Sequence, residues 1–147
     1  MQRLLPPQLT LILAGLMVAF DTFLSGPELV PSPFHWLGLP LLALGLAIAI
    51  VARKQFARAR TNIYTFSEPD HLVTDGVFRF TRNPMYLGFS VALLGLSLFL
   101  GTLPAMLLAV AFVIISDRWY ITFEEAMLRG KFGERYQRYA QHTRRWL

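Results

Sequence analysis

The residues able to do chemistry in this chain lie in two clusters. One is Arg82-Asn83-Pro84-Met85-Tyr86. The other runs from Asp117-Arg118 to Glu124-Glu125. Proline at 84 pushes Asn83 out of the helical region, asparagine is a favoured N-cap, and proline is a favoured first helical residue. A helix is therefore expected to start at Pro84 with Asn83 as its cap. Such an end carries partial positive charge and free backbone N–H groups, which seat a carboxylate or phosphate, although the same pair also serves simply to begin a helix. Neighbouring acids on a helix point about 100° apart, so one of Glu124 and Glu125 can face the protein interior and the other solvent, with Glu125 also able to pair with Arg129. Asp117 and Arg118 fall inside an apolar segment, where ionisable groups are costly: they either act, or pair locally while Arg118 snorkels outward. Glu125, Asp117 and Arg118 are thus the candidate catalytic groups. No metal is expected, because His35, His71 and His142 lie far apart and there is no cysteine.

These residues are carried by a chain built for lipid. It has 147 residues, 54% hydrophobic, and a mean hydropathy of +0.45. Between Leu4 and Ala52 there is no lysine or arginine. A spanning helix needs roughly 20 apolar residues, and four segments approach this: about 9–24, 34–52, 84–101 and 104–123. The break Gly101-Thr102-Leu103-Pro104 is short enough to force the last two into an antiparallel hairpin. The expected fold is all-α, a single membrane bundle over 1–147. All 14 Lys and Arg lie at the N-terminus, between the second and third segments, or from Arg118 onward. With four crossings this places both termini in the cytoplasm. The basic residues flank apolar runs, so the net charge of +5 reads as attraction to an anionic inner leaflet rather than to nucleic acid. No cleavage site marks a signal peptide.

The longest polar stretch, 53–83, comes after the second span. Helix is expected to about Arg60, then irregular chain over 61–70 whose aromatic neighbours Tyr64, Phe66, Phe78 and Phe80 argue for function rather than disorder. At the other end, Tyr136 and Tyr139 share a helix face, and the chain finishes Arg144-Arg145-Trp146-Leu147. An aromatic face with basic flanks fits the membrane interface first, and a lid folded back on the cytoplasmic mouth second.

Taken in order, Leu72-Val73-Thr74-x-Gly76-x-Phe78, Arg82-Asn83-Pro84-Met85-Tyr86-Leu87-Gly88, the helical pair, Glu124-Glu125-x-x-Leu128, Phe132-Gly133-x-x-Tyr136-x-x-Tyr139 and Arg145-Trp146 resemble the isoprenylcysteine carboxyl methyltransferase family, to which the phospholipid N-methyltransferases are related. The resemblance covers about 61–147. It implies S-adenosylmethionine bound at the inner membrane face and a lipophilic acceptor, with oligomeric state open. It places His71, Leu72, Val73, Phe78, Asn83, Pro84, Met85, Tyr86 and Glu124 around the cofactor. The chain departs from the family pattern at Asn83, often histidine, at Phe78, often tyrosine, and at Tyr120, where an arginine is associated with the lipid substrate; Tyr120 is the candidate substrate-binding position. Two other readings compete. Membrane steroid reductases use a similar Arg-x-Pro-x-Tyr-x-Gly segment with NADPH, but carry an acid where Phe89 stands here. A membrane adaptor that kept the fold without chemistry is the other.

Overall fold

A computed structural model describes residues 4–23, 27–59 and 70–147. Of the irregular stretch expected at 61–70, all but Asp70 lies outside the described residues, as does the helix end expected at Arg60. The rest is helical: α1 Pro6–Phe23, α2 Gly38–Arg58, α3 Pro84–Leu100, α4 Leu103–Ile115, α5 Thr122–Phe132 and α6 Glu134–His142. Short 3-10 turns precede α2 at Phe34–Leu37 and α3 at Gly76–Arg79, and a π-helical turn, Ser116–Ile121, joins α4 to α5. Among the described residues, the one β-type pairing is an isolated bridge from Glu28 to Thr102.

Among the described residues, three helical stretches are long and apolar enough to cross a membrane: Pro6–Phe23, Phe34–Arg58 and Leu103–Phe132; α3 is apolar but shorter, at 17 residues. Outward-facing Leu11, Leu107 and Ile114 are 74%, 59% and 56% exposed, an amount of apolar surface that only lipid can cover. The chain is an integral membrane protein.

Lipid supplies little hydrophobic drive for helix association, so helices in it hold together by close packing of small residues. Helices α2 and α3 meet in this way. Gly38 and Gly45 face Gly95 and Gly88, with Ala49 and Ala92 completing the contact. A Cβ added at Gly88 would lie 2.6 Å from the Ala49 amide nitrogen and 2.7 Å from the Gly45 carbonyl. A second core, Leu13, Met17, Leu93, Ala105, Ala109 and Phe112, joins α1, α3 and α4.

At one end of the bundle α3 stops at Gly101, whose φ of 72° is left-handed and whose N–H returns to Ser97 O at 2.9 Å, a helix ending that glycine adopts without strain. The α1–α2 connection is tied there, with Leu29 and Val30 donating to Gly101 O. At the opposite end lie the start of α3, the end of α2, α5, α6 and the C-terminal tail.

Candidate functional site

Asn83 stands at the N-cap of α3 with Pro84 next in the chain, as the local sequence requires. Its side chain does not cap the helix. Instead Asn83 Nδ2 donates to Arg145 O at 3.0 Å, and the Asn83 backbone N–H donates to Thr81 Oγ1 at 3.1 Å. The expected capping bond is corrected by the tail, whose carbonyl lies within reach of the amide. Thr81 Oγ1 also donates to Arg145 O, and the Arg82 N–H donates to Arg144 O. The segment entering α3 and the last residues of the chain are therefore laced together.

Arg82 is the hub of this lacing. Its Nε and Nη2 donate to Glu125 Oε1 at 3.2 and 2.8 Å, and Nη1 donates to the carbonyls of Ala140 and Thr143. From the other side Arg145 donates to both Glu125 oxygens, 3.3 and 2.7 Å, and to Asp117 Oδ1 at 3.2 Å. Trp146 Nε1 donates to the same Asp117 oxygen at 2.9 Å. Buried at 3% exposure, Glu125 is the shared counter-ion of two guanidiniums, an arrangement that compensates the cost of burying charge. The Arg129 contact at 3.6 Å adds little, because Arg129 is exposed. Glu125 and Asp117 both serve arginines. Arg118, with its side chain 84% exposed and 3.7 Å from Asp117 Oδ2, does not line the cavity.

The adjacent acid does something different. Glu124 Oε1 accepts the Tyr86 hydroxyl at 2.7 Å, joining α5 to the first turn of α3. Both residues line a cavity of about 510 Å³. The π turn contributes to this orientation: its extra residue rotates the downstream helix by about 100° relative to an unbroken α-helix. All nine residues expected around a cofactor, His71, Leu72, Val73, Phe78, Asn83, Pro84, Met85, Tyr86 and Glu124, line this one cavity, as does Glu125. Asp117, Arg118 and Tyr120 do not. Tyr120 is buried behind Tyr86, ring centroids 6.2 Å apart, with its hydroxyl donating to Leu4 O. It braces the wall rather than forming it.

The C-terminal helix packs against the protein. Tyr136 is 1% exposed and Tyr139 donates its hydroxyl to Phe78 O at 2.6 Å. Both line the cavity, so α6 forms part of its wall. Burial, reinforced by the charge of Glu125 and opposed by the nearby arginines, pushes the Tyr136 phenol up to about 12. Burial likewise raises Tyr139. Both are neutral walls at physiological pH.

Sequence reasoning missed four contributors. Arg82 and Arg145 stood within the motifs without a role, since their shared partner Glu125 becomes visible only after folding. Gln55 clamps the loop before α3: its Nε2 donates to Asp75 O and its Oε1 accepts from Val77 N at 3.2 Å, straddling Gly76, where a Cβ would collide with it. The apolar wall from α1 and α2, including Pro6, Leu46, Ala49 and Ile50, was also unassigned. Its signal was the seven-residue spacing of Gly38 with Gly45 and of Gly88 with Gly95, which dictates how α2 faces α3.

Comparison with known proteins identifies the family. A phospholipid methyltransferase family profile matches residues 33–135. An uncharacterized protein of Haemophilus influenzae is 41% identical over 63 residues, covering 43% of this chain and 100% of that protein. Protein-S-isoprenylcysteine O-methyltransferase of Schizosaccharomyces pombe is 35% identical across 82% of this chain and 51% of its own length. Protein-S-isoprenylcysteine O-methyltransferase B of Arabidopsis thaliana is 31% identical across 74% of this chain and 58% of its own. The chain thus spans just over half the length of these named methyltransferases. With the profile covering 33–135, from α2 through the glycine contact and the Tyr86–Glu124 pair into α6, the chain belongs to the phospholipid methyltransferase family, which includes the isoprenylcysteine methyltransferases.

Proposed function

We propose that this protein transfers a methyl group from S-adenosylmethionine to a lipophilic acceptor at the cytoplasmic face of a membrane, as a single four-span unit with both termini in the cytoplasm. The carrying observation is the Tyr86–Glu124 hydrogen bond of 2.7 Å, at the start of α3, on the wall of a cavity whose far side is apolar. Four crossings use α3 as the short third span, paired with α4 as a hairpin, and agree with the placement of every lysine and arginine.

The lining suits this cofactor. A cation bearing a nucleoside needs a carboxylate, an aromatic face and an anion seat for its own carboxylate. Glu124 supplies the first and the Tyr86 ring the second, worth up to about 2 kcal/mol when desolvated. The first-turn amides of α3 supply the third. Phe78 and Tyr139, walling the cavity beside them, give apolar surface for a flat base. When bound, the cofactor supplies an activated methyl carbon: the acceptor's lone pair forms the new bond while the carbon–sulfur pair returns to sulfur.

The residues of this chain then have three tasks. They hold the methyl carbon and the nucleophile in line, where orientation alone carries much of the barrier reduction. The folded-back α6, with Tyr136 and Tyr139, excludes water. Glu125 keeps Arg82 and Arg145 in place as their counter-ion. A carboxylate acceptor needs no proton removed, which matches a site whose buried Glu125 is engaged by two guanidiniums. The named relatives act on isoprenylcysteine, and an acceptor of that amphiphilic type would lie along the α1–α2 wall.

The test is labelled methyl transfer from the cofactor into a membrane lipid extract by the purified chain, with identification of the product. Label in a lipid-soluble product that disappears with Glu124→Ala supports the reading. No transfer to any extract, together with no cofactor binding by calorimetry, overturns it.

A further inference from the structure

Among the described residues, the cavity wall has one cation that no acid has claimed. Arg82, which also lines it, spends its guanidinium on Glu125, Ala140 O and Thr143 O. Arg145 spends its own on Glu125 and Asp117. Arg53 lines the same cavity from α2, is exposed, and makes no hydrogen bond or ion pair among the described residues. Its position on α2 is specific. Leu46, Ala49 and Ile50 precede it by seven, four and three residues and Phe56 comes three residues later, so all share one helix face, and all line the cavity. That face is held in register at both ends: Ala49 packs on Gly88, and Phe56 meets Phe78 edge-on, centroids 4.7 Å apart. The α2 wall is therefore an apolar strip that ends, toward the loop-bearing end of the bundle, in a guanidinium open to a ligand. That is the profile of a site for an amphiphile with a hydrocarbon chain and an acidic head.

We propose that Arg53 is the anion seat of the cavity, receiving the carboxylate or phosphate head group of an amphiphilic acceptor whose chain lies along Leu46, Ala49 and Ile50. Tyr120 cannot take this part, because it is buried behind Tyr86 and its hydroxyl is committed to Leu4 O. The charge for the acceptor thus comes from α2 and not from the helix carrying Glu124. Calling the ligand an acceptor rests on the methyltransferase reading; the seat itself does not.

The experiment separates the two. Full-length protein in a neutral detergent is titrated calorimetrically with laurate, dodecyl phosphate and dodecanol, and separately with S-adenosylhomocysteine, comparing wild type with Arg53→Gln and Arg53→Lys. Loss of one charge-assisted contact is expected to weaken an acidic amphiphile about tenfold or more. Dodecanol and S-adenosylhomocysteine should bind as before, and Arg53→Lys should recover part of the loss. Whichever acid loses more identifies a carboxylate or a phosphate as the head group. Equal weakening of dodecanol, no weakening of either acid, or weakening confined to S-adenosylhomocysteine would each overturn the proposal, the last because the anion seated there would be the cofactor's. Methyl transfer by the wild type is scored independently, so failure of the seat and failure of the enzymatic reading give different results. Circular dichroism of both variants confirms that an exposed side chain was changed without unfolding.

Discussion

Arg82 donates two hydrogen bonds to a single oxygen of Glu125, at 3.2 and 2.8 Å, across 43 residues of sequence. With Arg145 on the same carboxylate, this pairing fastens the entry to α3, helix α5 and the C-terminal tail at one point. The adjacent Glu124 accepts the Tyr86 hydroxyl instead, so two neighbouring acids have separate partners and should fail differently.

Glu125→Gln is expected to destabilise the fold. It leaves two guanidiniums around a neutral amide at a site only 3% exposed, and stripping one partner from a buried charge cluster costs about 3–5 kcal/mol. Denaturant unfolding in detergent, monitored by helical circular dichroism, measures this. A midpoint equal to wild type would remove Glu125 from its structural role.

Glu124→Ala is expected to leave that midpoint nearly unchanged while abolishing measurable cofactor binding. Tyr86→Phe keeps the ring and removes only the hydroxyl that donates to Glu124, a loss of about 1 kcal/mol or roughly fivefold in affinity. Calorimetry with S-adenosylhomocysteine ranks the three proteins, and a Glu124→Ala affinity equal to wild type would detach this acid from the cofactor.

Gly45→Ala should separate α2 from α3, because the new methyl would meet the backbone of Ala92 and Gly88. Overpacking of this kind costs about 1–3 kcal/mol, exceeding the gain of up to about 1 kcal/mol in helix propensity. Gly15→Ala is the control: nothing lies within 4 Å of its Cβ, so only the propensity gain remains. Opposite signs in thermal unfolding are expected.

Alkaline pH should loosen the lid. The Tyr136 phenol is raised from the ordinary 10 to about 12, first by burial and then by the Glu125 charge, so the folded state holds that proton more tightly than the unfolded chain. The resulting stability is complete below pH about 10 and declines as pH rises toward about 12. Phenolate absorbance should show a high-pH component, to which Tyr139 also contributes, that shrinks in Tyr136→Phe. A titration in which every tyrosine ionises at the ordinary value would contradict the buried lid.

Much of the fold was legible in the chain itself. The apolar runs announced the helices, Asn83-Pro84 marked the start of α3, and Gly101 marked its end, because these depend on local backbone preference and on periodicity. The ordered motifs also picked out nine residues that now line one cavity. Other outcomes were not legible. The side chain of Asn83 was expected to cap its own helix, yet it binds Arg145 O, 62 residues away. The arginines that Glu125 and Asp117 bind come from the loop and the tail, far away in sequence.

What the sequence by itself determined, then, is where helices begin and end, which segments suit lipid, and which residue types gather near the α3 start. Only the tertiary structure decided that Glu124 receives the Tyr86 hydroxyl while Glu125 binds two arginines, and that Tyr136 and Tyr139 pack on the cavity. The physical reason is rotational. Helix periodicity fixes the angle between neighbours, but the absolute facing of α5 depends on the π turn at Ser116–Ile121 and on the close contact of α2 with α3, and neither can be read from local preference.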